Sequence, residues 1–198
     1  MGGPTAGRLV VVRHGTTEWS RTGRHTSHSD PELEPAGRAA AEALGAVLCD
    51  EPFALVLTSP RRRAHETARL AGFPDAVVDE DLVEWDYGDY EGRTTEEIRA
   101  ERPGWTLFAD GAPGGERAAE VGRRADRVIE LALATPGDTL CFAHGHLLRV
   151  LAARWIGLPP IGGRCLALEA GSFSVLGWER EVAVIASWNR TPPPSPPR

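Results

Sequence analysis

The 198-residue chain has no lysine, so every one of its 22 basic residues is an arginine. A Schiff-base amine and the lysine of a phosphate-binding P-loop are both excluded. Cysteine is scarce: Cys49, Cys141 and Cys165 are widely spaced and odd in number. They fit buried thiols in a reducing compartment better than a disulfide framework. Positive charge is also in deficit, 22 basic against 28 acidic residues, for a net charge of −6. Wholesale nucleic-acid binding is disfavoured, and any anion site must be local. No apolar run is long enough to span a membrane, and residues 1–7 lack the core of a signal peptide. The expectation is a soluble, cytoplasmic protein that binds neither nucleic acid nor membrane, as a monomer or homodimer. No internal repeat and no second domain is visible.

What is present is organised around Leu9-Val10-Val11-Val12-Arg13-His14-Gly15. Four apolar residues, three of them β-branched, read as a buried strand. The run ends on an arginine and a histidine, which do not belong in a core unless paired. Beyond the carboxyl end of a strand they sit where open α/β sheets bind ligands. Strands are also expected at 53–58 and 138–143, with short ones at 76–78 and 166–168. Helices are expected from Pro35 at N1 to about residue 49, from a Ser59 N-cap with Pro60 at N1, from the Thr94/Glu97 capping box, over about 116–134, and from 145 to about 156. One apolar stripe, Ala40, Ala43, Leu44 and Val47, is expected to bury the first of these. Residues 111–115 and 159–163 read as loops. A hairpin over 171–188 turns at Glu179-Arg180.

This order predicts an α/β protein: a three-layer α/β/α sandwich with a mostly parallel central sheet and an antiparallel edge hairpin. The expected division is a flexible start at 1–7, one domain over 8–190 and a Pro-rich, disordered tail at 191–198.

Three strand ends present Arg13-His14-Gly15, Ser59-Pro60-Arg61-Arg62-Arg63 and His144-Gly145-His146. In a parallel sheet their carboxyl ends share one side, so the groups can converge. Two guanidinium forks and two imidazoles suit a tetrahedral dianion, and a neutral imidazole can attack phosphorus. A carboxylic acid nearby would protonate the leaving oxygen. Asp81, Glu84, Asp86, Asp89 and Glu91 all compete for that role, and spacing does not choose among them.

Taken together these motifs resemble the histidine phosphatase superfamily, in its phosphoglycerate-mutase-like branch. The likeness rests on Arg13-His14-Gly15-Thr16-Thr17-Glu18-Trp19-Ser20, on the run from Ser59 to Ala68, on Leu82 to Gly92, and on Phe142-Ala143-His144-Gly145. It extends from about residue 8 to 190. By this resemblance His14 becomes the phosphohistidine, Arg13, Arg63 and His144 hold the phosphoryl group, and Glu84 is the proton donor. It also implies that Thr17, Ser20 and Gly145 contact phosphate or its loop, and that Arg24 and His25 lie where substrate binds. No metal and no other cofactor is implied. Two positions depart from the family pattern: Thr16 stands where Glu or Gln is usual, and Ser20 where Asn is common. The implied activity is hydrolysis of a small phosphorylated metabolite, with a cofactor-dependent phosphoglycerate mutase and a non-catalytic phospho-ligand binding module as alternatives. His146 and His65 read as helix-start and helix-surface residues, and Glu91 as structural near the helix that follows it.

Overall fold

The computed structural model describes residues 7–193. The flexible start and the Pro-rich tail expected from the sequence lie almost wholly outside the described residues. The strands are β1 (Leu9–Arg13), β2 (Phe53–Thr58), β3 (Val77–Val78), β4 (Asp138–Ala143), β5 (Phe173–Glu179) and β6 (Val182–Arg190). They form one sheet in the order β3-β2-β4-β1-β5-β6. The first four are parallel to one another, and β5 and β6 complete the sheet as an antiparallel hairpin. The hairpin turns through Arg180 and Glu181, between the paired Glu179 and Val182, with Arg180 in the left-handed region at φ 55°.

The helices are α1 (Glu18–Thr22), α2 (Pro35–Leu48), α3 (Arg62–Leu70), α4 (Thr95–Glu101), α5 (Leu107–Asp110), α6 (Ala118–Ala134) and α7 (Gly145–Trp155). They cover both faces of the sheet. Leu9 and Val11 pack with Val121, Val128, Leu147 and Leu151 of α6 and α7. Val10 and Val12 pack with Leu44 and Leu48 of α2 and with Ala68 of α3. Alternate residues of β1 thus feed two separate cores, which is why the strand is apolar without interruption.

Several local expectations are corrected. On α2 the buried face runs through Ala41, Leu44 and Leu48 rather than Ala40 and Val47, about one position round the helix. Helix α3 begins at Arg62, not at Pro60, and Ser59 is not its cap. Asp30, from the loop after α1, accepts instead from Arg62 N at 2.6 Å and Arg63 N at 3.3 Å. Residues 166–168 form no strand, and Pro160–Cys165 is a 3-10 helix rather than a loop. Helix α6 starts at Ala118; Glu116 is held instead by Arg124 and by Asp86 N. Of the three thiols expected to be buried only Cys141 is, while Cys49 and Cys165, at the ends of α2 and of the 3-10 helix, are exposed.

Candidate active site

β1 and β4 are neighbours, and Arg13 pairs in register with Ala143. The next residues, His14 and His144, therefore leave the sheet side by side, with ring centroids 5.2 Å apart. β2 flanks β4 on its other side, and Ser59 N donates to Phe142 O at 2.9 Å, so Ser59 arrives beside His144. Parallel pairing alone brings the three motifs to one edge.

His14 Nδ1 lies 2.8 Å from its neighbour's carbonyl, Gly15 O. A carbonyl only accepts, so Nδ1 carries the proton and Nε2 keeps its lone pair. Burial and then the charges of Arg63 and Arg13 push the imidazole pKa well below its ordinary value, which keeps the ring neutral. The Gly15 position admits no side chain: a Cβ there would lie 2.4 Å from Gly37 O. Its N–H donates to Thr67 Oγ1 at 3.1 Å, and that hydroxyl donates to Arg63 O at 2.7 Å. The nucleophile strand and α3 are tied together by this pair of bonds.

Arg63 is 1 % exposed. Its guanidinium donates to Ser29 O at 2.9 Å and Thr26 O at 3.1 Å, and it pairs with Asp30 at 3.2 Å. Glu91 holds that loop in turn, accepting from the Ser27 and Ser29 N–H groups and from Ser27 Oγ at 2.6 Å. Glu91 therefore serves the loop after α1, not the helix that follows it. Arg13 donates to Leu168 O, and its guanidinium lies flat against Gly145, where a Cβ would come within 3.3 Å. The Nε atoms of Arg13, Arg61 and Arg63 and the Nδ1 of His144 are buried without a partner among the described residues. Those of Arg13, Arg63 and His144 belong to the three strand ends around His14, and orphaned buried donors there suit a bound anion.

Glu84 is 6 % exposed. Its carboxylate accepts from Trp85 N at 2.9 Å, Leu147 N at 2.9 Å and His146 N at 3.0 Å. The first turn of α7, which follows His144 directly, thus fixes the carboxylate beside the histidines. The four rival acids are elsewhere engaged. Asp81 pairs with Arg127, Asp86 accepts from Gly88 N and faces His28, Asp89 lies against Gly114, and Glu91 holds the loop.

A cavity of about 200 Å³ opens onto this group. Of the residues expected at the site, Arg13, His14, Ser20, Arg24, His25, Glu84 and Gly145 line it, while Arg63 and His144 are buried behind. Thr17 does not line it. Its hydroxyl accepts from Ser20 N in a reciprocal capping box that starts α1. Tyr87, one of the aromatics of the acid segment, also lines the cavity, and sequence reasoning missed His146 and Arg149 on its wall. His146 is at the start of α7, as expected, but its ring faces Tyr87, whose hydroxyl is 2.7 Å from Nδ1. His65 is exposed on α3, as expected.

A sequence model of the histidine phosphatase superfamily (branch 1) matches residues 9–191. The chain belongs to this superfamily. It is 42 % identical over 195 residues to an acid phosphatase of Mycobacterium tuberculosis, covering 96 % of this chain and 95 % of the relative. It is 36 % identical over 196 residues to the sedoheptulose 1,7-bisphosphatase of Saccharomyces cerevisiae, covering 82 % and 72 %. A solved structure of a Mycobacterium tuberculosis open reading frame superimposes with a TM-score of 0.90 at 40 % identity, over 93 % of this chain and 98 % of that one. The phosphoglycerate-mutase-like sandwich expected from the sequence is the fold of this superfamily member.

Proposed function

We propose that the protein is a phosphomonoesterase that hydrolyses small phosphate monoesters, sugar phosphates among them, through a phosphohistidine on His14. The observation that carries this reading is the neutral, buried His14 with its proton held on Nδ1 and its Nε2 free, beside orphaned arginine and histidine donors. In the first step Nε2 attacks phosphorus in line, the P–O ester bond breaks, and the leaving oxygen takes a proton from Glu84. Arg13, Arg63 and His144 hold the non-bridging oxygens as charge shifts. In the second step water attacks phosphorus, Glu84 takes its proton, and the N–P bond breaks to release phosphate and free His14. No metal ion enters these steps.

The names of the two relatives, an acid phosphatase and a sugar bisphosphatase, support hydrolysis as the reaction. A nucleophile that resists protonation suits work in acid. The mutase alternative is less well supported. Arg99 and Arg102, the cations after the acid segment, donate to Trp105 O and pair with Asp110, and neither lines the cavity.

The test is phosphate release from p-nitrophenyl phosphate and a panel of sugar phosphates after exhaustive chelation, with labelled phosphoenzyme trapped in base. Turnover without metal and an acid-labile, base-stable label lost in His14→Ala are expected. Label on an acid-stable residue, or activity restored only by a divalent ion, would refute the mechanism. With 3-phosphoglycerate and a bisphosphoglycerate primer, mutase turnover exceeding hydrolysis would reverse the assignment.

A further inference from the structure

Arg149 lines the same cavity, yet the reaction above gives it nothing to do. It lies one turn along α7 from Gly145, against which Arg13 rests, a rise of about 6 Å along the helix. Its Nε donates to Gly163 O at 3.1 Å and its Nη2 to Arg164 O at 3.2 Å. The guanidinium carbon sits 4.8 Å from the centroid of the Phe108 ring. The fork is thus fixed from two sides and below before any ligand arrives, and Nη1 is left without a hydrogen bond among the described residues.

No carboxylate lies within ion-pair distance of Arg149 among the described residues, whereas arginines such as Arg8, Arg124, Arg127 and Arg154 each have one. Partial burial pushes its pKa down, the effect that an unpaired cation feels on leaving water. A half-buried charge is normally paired. The cavity holds two other arginines without a carboxylate partner, Arg13 and Arg24, and one carboxylate, Glu84. Arg13 is taken up by the phosphoryl group and Arg24 is exposed to solvent, so Arg149 is the half-buried cation of this cavity with no anion assigned to it.

We infer that Arg149 receives a second anionic group, carboxylate or phosphate, carried by the leaving group at the end remote from the scissile phosphate. This rests on the phosphatase reading and narrows its substrates to compact metabolites with anions at both ends. The about 6 Å between the Gly145 and Arg149 levels suits a chain of a few carbons between them.

The test compares matched esters that differ only in the second anion. Glycerol 3-phosphate against 3-phosphoglycerate isolates a carboxylate, and fructose 1,6-bisphosphate against the faster of fructose 1-phosphate and fructose 6-phosphate isolates a phosphate. For at least one pair the wild type should favour the doubly anionic ester by about tenfold or more in kcat/KM, as a charge-assisted hydrogen bond would give. The pair that shows it names the anion. Arg149→Met, which keeps the contact with Phe108, should bring that ratio close to one through KM. Arg149→Lys, which keeps the charge, should retain part of it and stands as the variant if the methionine protein does not fold. A purely structural Arg149, tying Gly163 and Arg164 to α7, would lower both members of a pair equally and leave the ratio intact. That result, or a wild type with no preference in either pair, overturns the inference. A wild type inert toward these esters and toward p-nitrophenyl phosphate would instead overturn the phosphatase reading, and this inference with it.

Discussion

The Ser59 hydroxyl lies 2.8 Å from His144 Nε2, which leaves Nδ1 as the ring nitrogen facing the site without a partner among the described residues. Ser59 Oγ accepts from Arg61 N at 3.3 Å and keeps its own proton to give to Nε2, the arrangement the reaction requires. His144 is held neutral by burial and by the charges around it, Arg63 foremost. With Nε2 accepting, its single proton sits on Nδ1, the atom that is buried without a partner. That N–H is the donor the reaction assigns to a phosphoryl oxygen. Ser59→Ala should let both tautomers exist and lower kcat by about tenfold to a hundredfold, within the range for losing one transition-state donor. Nitrogen-15 shifts of the His144 ring would report the mixed tautomers directly. An unchanged tautomer, or a loss confined to KM, would disprove the role.

Glu91 does not line the cavity, yet Arg63 depends on it through the loop. The carbonyls of Thr26 and Ser29 that hold the guanidinium belong to the segment Glu91 fixes by its bonds to Ser27 and Ser29. Removing one partner of such bonds leaves buried N–H groups unsatisfied. Glu91→Ala should weaken inhibition by inorganic phosphate or vanadate by about tenfold. Glu91→Gln, which keeps one acceptor oxygen, should recover part of that affinity. Equal inhibitor affinity in all three proteins would separate Glu91 from the site.

His25 makes the fold acid-sensitive in a defined window. Burial pushes its pKa to about 4. In the unfolded chain the imidazole titrates near about 6.5. Above that value neither state binds the proton and the contribution to stability is whole. As pH falls towards 4 the unfolded state gains a proton that the folded state refuses, and stability is lost. The difference amounts to roughly 3 kcal/mol for this residue. His14, His144 and His146 are shifted in the same direction by burial and add to the slope. Urea unfolding at pH 7.5, 5.5 and 4.5 should show the decline, and His25→Gln should flatten part of it. A wild type equally stable at all three would show that these rings are not buried neutral.

The elements read correctly from sequence are those whose cause is local. Phe53–Thr58 and Asp138–Ala143 are short apolar runs bounded by breakers, Pro35 opens α2, and the Thr94/Glu97 box opens α4. The failures are long-range. Ser59 looked like a helix cap because Ser-Pro so often is one, but β4 brings His144 to its hydroxyl, and Asp30, 32 residues before Arg62, takes over the cap. Helix α5, Leu107–Asp110, is one turn long and has no period to detect. The two histidines and Arg13 were legible because each ends an apolar strand or adjoins a residue that does. Arg149 and His146 carry no such mark. Only the placement of α7 against the acid segment brings them to the cavity.

Glu84 is the carboxylate that the geometry singles out, and a leaving-group comparison tests its chemistry. An alkyl ester such as a sugar phosphate expels a poor alkoxide that needs a proton as the P–O bond breaks. An aryl ester such as p-nitrophenyl phosphate expels a stable phenoxide that needs it far less. Glu84→Gln keeps the size of the side chain and one acceptor for the N–H groups of Trp85, His146 and Leu147, so the pocket should hold its shape. Phosphoenzyme formation from the sugar phosphate should slow by about 10²–10⁴-fold, the usual worth of a general acid. From the aryl ester it should slow much less. Hydrolysis of the phosphoenzyme should slow from either source, because the same carboxylate takes the proton of the attacking water. Rapid-quench measurement of the two steps with both esters separates these effects. Equal losses in the first step would mean that Glu84 gives no proton to the leaving oxygen, and Asp86, whose carboxylate faces His28 3.2 Å away, would be the next residue to replace.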